Sequence, residues 1–369
     1  MENHAVLFDE LRTESGHTIG RIQLNKNQTL NALTQLMVDQ IYDQLLVWKN
    51  NPNITCVFLD SSVQKSFCSG GDVREITQSI RQGDTESPER FFTREYQLDY
   101  LIHIYTKPVI CWGHGIVMGG GLGLMAGADF RVVTDISTLA MPETAIGFFP
   151  DVGASWFLGR LPRDIGLFIA LTGARLNAGD AIYLGLANRF IEHSFKEDII
   201  RDLQKADWSD SDAHTLIYQT LHHYEKVHSA GWLPYSHIRA NRDQIAALMD
   251  KVSLTDTMED FQQLDTGDAW LKQSVQNALS ASPLSLALTG EHLKRSEKAS
   301  LKDIFQSEVI LANNCAHKGD FVEGVRTVLE DRSLMPKWQY QSVDQIPQSV
   351  LDEFFTPFGK EKTPIKLEF

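Results

Sequence analysis

The chain has 369 residues, 43% hydrophobic and 22% charged, enough for one large core or two moderate ones and too apolar for a disordered chain. Its formal net charge of −14 argues against nucleic acid or an anionic membrane as a partner, since both require a basic face, and no apolar run reaches the roughly 20 residues of a membrane span. The acidic opening, MENHAVLFDELRTESG, has neither the apolar core of a secretory signal nor the arginines of a transit peptide, and four cysteines without CxxC spacing suit a reducing compartment, taken as the cytoplasm.

Apolar, alternating runs predict strands at 5–10, 18–24, 54–60, 109–112 and 130–134. Between the second and third, residues 34–50 carry Leu36, Met37, Ile41, Leu45, Leu46 and Trp48 at helical spacing behind a Thr34 cap. Alternation of strand and helix predicts a layered α/β core. Two of these strands run into glycine: SFCSGGD at 66–72, and PVICWGHGIVMGGGLGLMAG at 108–127. Glycine there serves a tight turn and close helix packing, or lets backbone amides approach a ligand as in an oxyanion hole. The run GGGLG lacks the order of a dinucleotide fingerprint.

Residues 138–160, TLAMPETAIGFFPDVGASWFLGR, set Glu143 and Asp151 in a segment nearly free of charge. Pro142 and Pro150 precede them, so each acid is expected at the start of a turn or helix after a strand. Met141, Ile146, Phe148 and Phe149 predict a desolvated surrounding that raises a carboxyl pKa toward neutrality, which suits a general base or nucleophile. Either acid alone is equally well explained as a helix cap.

From 162 onward the pattern is nearly all helical, beginning with two helices separated by Gly173 and a capping Asn177, with loops at 206–212 and 229–235. There is no repeat and no low-complexity tract. His222, His223, His228 and His237 lack carboxylate or Cys partners at ligand spacing and read as a solvated helical face, so no metal is expected. Cys68 has no evident base nearby and reads as a packed thiol. No Gly-x-Ser-x-Gly elbow occurs, which sets aside a serine hydrolase of that type.

The segments LNKNQTLNAL (24–33), SFCSGGD, GHGIVMGGGLGLMAGADFRV (113–132) and MPETAIGFFPDVG (141–153), in this order, resemble the enoyl-CoA hydratase/isomerase (crotonase) superfamily. The resemblance implies a ββα spiral core over 1–195, a mostly helical region over 196–369, and two amides, of Gly71 and Gly120, that hold a thioester oxygen. Hydratases of the family place a glutamate where this chain has Gly123, so water addition lacks half its machinery. The family's second glutamate is matched by Glu143. Asp151, eight residues later, looks like the 3-hydroxyisobutyryl-CoA hydrolase branch, as do ASPLSLALT (281–289), KGDFVEGVRTVLEDR (318–332), PKW (336–338) and FFTREY (91–96). Within FFTREY, Glu95 falls where that branch contacts the acyl group.

The resemblance implies hydrolysis of a short β-hydroxyacyl-CoA thioester, 3-hydroxyisobutyryl-CoA to 3-hydroxyisobutyrate and CoA, as in valine catabolism. CoA is then part of the substrate and no cofactor is implied; a homo-oligomer is. Lys26, Lys65, Arg74 and Lys107 are candidates to meet the CoA phosphates. Glu143 either attacks the thioester to form a mixed anhydride or activates water, and Asp151 binds the substrate hydroxyl. Two alternatives stand beside this: an enoyl-CoA isomerase or hydratase using Glu143 alone, and a non-catalytic acyl-CoA-binding or scaffold protein.

Overall fold

The computed structural model describes residues 4–84, 86–209, 212–229, 231–357 and Leu367. The opening residues 1–3, and Asp210, Ser211 and Ala230 of the two expected loops, lie outside the described residues.

The chain opens with β1 (Val6–Arg12) and β2 (Thr18–Leu24), then α1 (Gln35–Lys49). Thr34 caps α1 as expected, its hydroxyl accepting the Met37 amide at 3.3 Å. The buried stripe of α1 runs through Met37, Val38, Ile41, Tyr42, Leu45 and Trp48; Leu36, expected on it, faces outward instead. Three successive strand–strand–helix passages follow. They are β3 (Ile54–Ser61), β4 (Ser66–Cys68) and α2 (Val73–Arg81), followed by α3 (Glu86–His103); then β5 (Val109–Gly113), β6 (Ile116–Met118) and α4 (Gly120–Ala126). The third is β7 (Phe130–Val133), β8 (Thr138–Ala140), a 3₁₀ turn at Glu143–Ile146 and the short α5 (Ala154–Phe157). This repetition is the ββα pattern that the resemblance implies.

The five expected strands are all present to within two residues at either end. The two expected helices are α6 (Arg163–Thr172), closed by Gly173 in the left-handed region, and, after the two-residue β9 (Leu176–Asn177), α7 (Ala178–Leu184). Asn177 and Asp180 form a full capping box at the start of α7. Next come β10 (Arg189–Phe190), α8 (Lys196–Lys205) and α9 (Ala213–Tyr224). The rest is helical: α10 (His237–Ala240), α11 (Arg242–Met249), α12 (Leu254–Gln263), α13 (Ala269–Ser280), α14 (Pro283–Ser296), α15 (Leu301–Lys318), α16 (Phe321–Val325) and α17 (Gln348–Phe354). None of the described helices is long and apolar enough to cross a membrane.

The described residues group into two compact units whose segments alternate along the chain, a different division from a single break at 195/196. One comprises Met1–Gly71, Leu101–Leu139 and Leu176–Ser236; the other Asp72–Tyr100, Ala140–Arg175 and His237–Phe369. The first holds a six-stranded sheet in the order β1-β2-β3-β5-β7-β10, parallel except for the β1–β2 pair, and a four-stranded sheet β4-β6-β8-β9. One face of the large sheet buries Ile19, Phe58, Ile110, Trp112 and Val132 against Ile199, Leu203, Trp208, Ile217 and Leu221 of α8, α9 and the turn between them. At the end of β3 lies Asp60, fully buried and bound to Arg21 at 2.8 Å and Lys196 at 2.9 Å. The second unit is helical and includes the Pro142–Phe157 segment.

Candidate functional site

In the first unit, the β4 and β6 ends bring both glycine loops together. Leu33 N–H donates to Gly70 O at 2.8 Å, which places Gly71 in an isolated parallel bridge with Leu33. A Cβ on Gly70 would lie 3.7 Å from the amide nitrogen of Gly120, so the loops carrying the two expected amides are side by side. Two other glycines allow this. Gly119 has φ +50° and ψ −125°, a conformation that only glycine adopts readily, and a Cβ on Gly121 would sit 2.5 Å from the Cys68 carbonyl oxygen. The amide of Gly120 belongs to the first turn of α4, where no intrahelical acceptor exists. Cys68 is buried; its thiol donates to Asn31 O at 3.2 Å and its sulfur accepts the Gly70 amide at 3.4 Å, so it braces the loop as a packed thiol. Gly123 is buried within α4 and brings no carboxylate there.

In the second unit, Glu143 opens the 3₁₀ turn just after Pro142, and Asp151 follows Pro150 and precedes α5, both as expected from the prolines. The surroundings are apolar: Phe148 stacks on Phe92 (ring centroids 5.2 Å apart), on Phe149 (4.8 Å), and tilts against Phe321 (4.9 Å). The C-terminal motifs brace this turn. Ser282 caps α14, gives its hydroxyl to Asp320 at 2.6 Å, and donates its amide to Thr144 O at 3.2 Å. Gly147, with φ +73°, lies so close to the Asp320 backbone that a Cβ would overlap it. The motifs around 281–289 and 318–332 therefore shape the Glu143 turn directly.

Besides Asp320, which receives the Ser282 hydroxyl, five acids are buried in this unit: Glu95, Asp99, Glu143, Asp151 and Glu308. Tyr96 Oη donates to Asp151 Oδ2 at 2.6 Å, and the Gly153 amide donates to Glu308 Oε2 at 2.7 Å. Burial, then the charges of Asp151 and Glu95, hold the Glu143 carboxyl well above the usual range. Burial pushes Asp151 up to about 7, against the pull of the Tyr96 hydroxyl bond. Glu95 is raised by burial and then by Asp151; Asp99 by burial and then by Glu95, Asp151 and Glu308; Glu308 by burial, against its bond from Gly153. Among the described residues no cationic side chain figures among these influences. Both oxygens of Asp99, Oε1 of Glu95, Oε2 of Glu143 and Oε1 of Glu308 are buried without a hydrogen-bond partner. Such groups favour the neutral acid and are held above the ordinary carboxylate range, the direction that suits acid–base and nucleophilic chemistry.

Asp99 and Glu308 were not expected from sequence, yet each carries a legible signal. Asp99 lies four residues after Glu95 on α3 and shares its face, and Glu308 falls on the buried stripe of α15 with Ile304, Phe305, Leu311 and Ala312. Two of the proposed phosphate ligands are engaged elsewhere. Lys107 donates to Trp48 O at 2.6 Å and to Asn51 O, closing the end of α1, and Arg74 donates to Leu329 O at 2.6 Å. Lys65 is exposed and Lys26 half-buried. Among the described residues no group of three or more His, Cys, Asp or Glu is arranged to hold a metal ion.

The chain is 34% identical over 359 residues to the "3-hydroxyisobutyryl-CoA hydrolase, mitochondrial" of Xenopus laevis, covering 97% of this chain and 92% of that protein. It is 32% identical over 360 residues to the protein of the same name from Homo sapiens, with the same coverage. The word mitochondrial in these names lends the expected cytoplasmic location no support. Among solved structures, an enoyl-CoA hydratase from Rhodobacter sphaeroides 2.4.1 is similar with a TM-score of 0.84 and 30% identity over 96% of this chain and 98% of that one. A carnitinyl-CoA dehydratase from Mycobacterium thermoresistibile is similar with a TM-score of 0.86 and 29% identity, covering 99% of each. The enoyl-CoA hydratase/isomerase family model matches residues 19–355. With that match over most of its length and relatives above 30% identity, the chain belongs to the enoyl-CoA hydratase/isomerase family.

Proposed function

We propose that the protein is a CoA thioester hydrolase that cleaves a short β-hydroxyacyl-CoA, 3-hydroxyisobutyryl-CoA, to the hydroxy acid and free CoA, a step of valine catabolism. The observation that carries this reading is the pair of buried acids on successive Pro-led turns, Glu143 and Asp151, in a chain whose hydratase glutamate position is Gly123. The names of the curated relatives support the same reading.

In the proposed mechanism the amides of Gly71 and Gly120 bind the thioester oxygen, where negative charge develops during attack. Glu143 either adds to the carbonyl carbon and expels the CoA thiolate, leaving a mixed anhydride for water to open, or takes a proton from the attacking water. Glu143 must be ionised for either route. Its buried, raised carboxyl therefore predicts activity that grows as pH rises. Asp151, already accepting from Tyr96, has a second oxygen to receive the substrate hydroxyl, and Glu95, buried and within the electrostatic reach of Asp151, is assigned to contact the acyl chain. CoA enters as part of the substrate and no further cofactor is invoked. All four cysteines are free and buried, in keeping with a reducing compartment; cytoplasm and mitochondrial matrix both satisfy this, and cell fractionation distinguishes them. Light scattering on the purified chain tests the homo-oligomer.

The solved relatives are named for hydration and dehydration, so the deciding experiment runs 3-hydroxyisobutyryl-CoA, crotonyl-CoA and acetyl-CoA side by side. Thiol release from the first alone supports the hydrolase. Hydration of crotonyl-CoA near the 10 s⁻¹ or so typical of enzymes overturns it in favour of a hydratase. Binding of all three without turnover leaves only an acyl-CoA-binding protein.

A further inference from the structure

We infer that Glu308 is a positioning residue for Asp151, supplied to the reaction by α15 of the C-terminal helical region. The turn after Asp151 is unusual. Val152 has φ +52° and Gly153 φ +82°, so a β-branched residue and its neighbour both occupy the left-handed region. A conformation of this kind persists only where its surroundings impose it. Glu308 does so: its Oε2 accepts the Gly153 amide at 2.7 Å.

Phe305, one turn earlier on α15, closes the other side. Its ring tip would lie 2.9 Å from a Cβ on Gly153, and the same ring is 6.3 Å from that of Tyr96, whose hydroxyl holds Asp151. One helix therefore supports both the backbone behind Asp151 and the tyrosine in front of it. The Ala154 amide, donating to Asp151 O at 2.8 Å, completes the turn. Glu308 is fully buried, and its remaining oxygen has no partner, so its presence in an apolar stripe is not explained by helix packing.

This inference rests on the reading of Asp151 as the group that binds the substrate hydroxyl. Glu308→Gln keeps an acceptor of the same shape, whereas Glu308→Leu removes it. Two readouts separate positioning from stability. The first is the infrared titration of Asp151 in protein carrying ¹³C-aspartate, taken as the difference from Asp151→Asn; Glu95, Tyr96, Asp99 and Glu143 face the same carboxyl and stay unchanged. The second is the ratio of kcat/KM for 3-hydroxyisobutyryl-CoA to that for isobutyryl-CoA. Glu308→Leu is expected to move the Asp151 midpoint from near 7 and to lower the ratio at least about ten-fold, and Glu308→Gln to restore both to within about two-fold. If Glu308→Leu does not fold, Glu308→Asp, which withdraws the acceptor by one methylene, is read by the same criteria. An unmoved midpoint with an unchanged ratio overturns the assignment, and so does a Glu308→Gln variant as impaired as Glu308→Leu. A wild-type protein that cleaves no thioester while Glu308→Leu still shifts the Asp151 titration refutes the hydrolase reading and leaves the positioning role standing.

Discussion

Asp60 in the first unit and five of the six buried acids of the second are all buried carboxyl groups, and their neighbours differ completely. Asp60 receives Arg21 through two nitrogens, at 3.2 and 2.8 Å, and Lys196 at 2.9 Å. Glu95, Asp99, Glu143, Asp151 and Glu308 have a tyrosine hydroxyl, backbone amides and one another. A buried charge met by cations ties strands to a helix and does nothing else. Acids left to share a dry space resist ionisation, cost stability, and are ready to exchange protons or attack. Burial alone therefore does not mark a functional carboxyl; what it is paired with does.

The largest effect that this contrast predicts is on stability. Asp60→Ala leaves Arg21 and Lys196, whose side chains are 13% and 11% exposed, with only the exposed Glu197 as ionic partner, and removing one member of a buried ion pair costs up to about 3–5 kcal/mol. Urea unfolding measures this, and the molecules that remain folded should keep wild-type kcat. If instead kcat falls while the urea midpoint stays put, Asp60 belongs with the reactive acids and the distinction collapses.

Glu143→Gln is expected to behave in the opposite way. It keeps the shape and removes the charge and basicity, so kcat should fall by at least about 10²-fold with KM little changed. The melting temperature should hold or rise, because an acid whose Oε2 lacks a partner has been made neutral. Near-wild-type turnover would remove Glu143 from the mechanism. Single-turnover reaction in ¹⁸O water with the wild-type protein then probes the route: label in the Glu143 carboxyl establishes an anhydride opened at the enzyme's own carbonyl carbon, because direct attack by water places label only in the product acid.

The long strands, α1, and the pair α6 and α7 were legible in the sequence because each carries its own periodicity and cap: Thr34, Gly173 and Asn177 all act as expected. The strands β4, β6, β8, β9 and β10 were not separately legible, being two or three residues long and defined by their partners rather than by local pattern. Glu143 and Asp151 stood out because proline and apolar residues flank them in the chain. Asp99 and Glu308 did not, since their only signal is helical spacing, to Glu95 on α3 and to the apolar stripe of α15, with no flanking proline to single them out. The close approach of the Gly70 and Gly120 loops was implied by family resemblance, and by nothing in either segment alone.

Asp151→Asn sharpens the comparison within the acid cluster. A buried hydrogen bond to a charged group is worth about 1.5–3 kcal/mol, so the variant should lose roughly ten- to a hundred-fold more activity on 3-hydroxyisobutyryl-CoA than on isobutyryl-CoA. Its charge also raises the Glu143 carboxyl, so the rise of kcat/KM with pH should move to lower pH in the variant. Equal losses on both substrates, together with a lower melting temperature, would make Asp151 a structural cap and leave the hydroxyl without a recognised partner.

The last effect is the pH dependence of stability, and its sign separates the two kinds of carboxyl most directly. Asp151 titrates near 7 in the folded chain against about 3.9 when unfolded, so between these values the native state holds a proton that the unfolded state has released. The unfolded chain binds fewer protons there, and stability must fall as pH rises. The contribution is fully present below pH 4 or so and lost by about pH 7, at roughly 1.4 kcal/mol per pH unit within the window. Glu95, Asp99, Glu143 and Glu308, raised in the same direction, contribute to the decline with the same sign. Urea midpoints of wild type and Asp151→Asn at pH 5, 6 and 7 read the Asp151 share together with the lift its charge gives to the neighbouring acids. The variant should show the shallower decline. Parallel curves would mean that Asp151 is already ionised in the folded protein at pH 5, and the account of a dry cluster short of countercharge would be wrong at its most testable member.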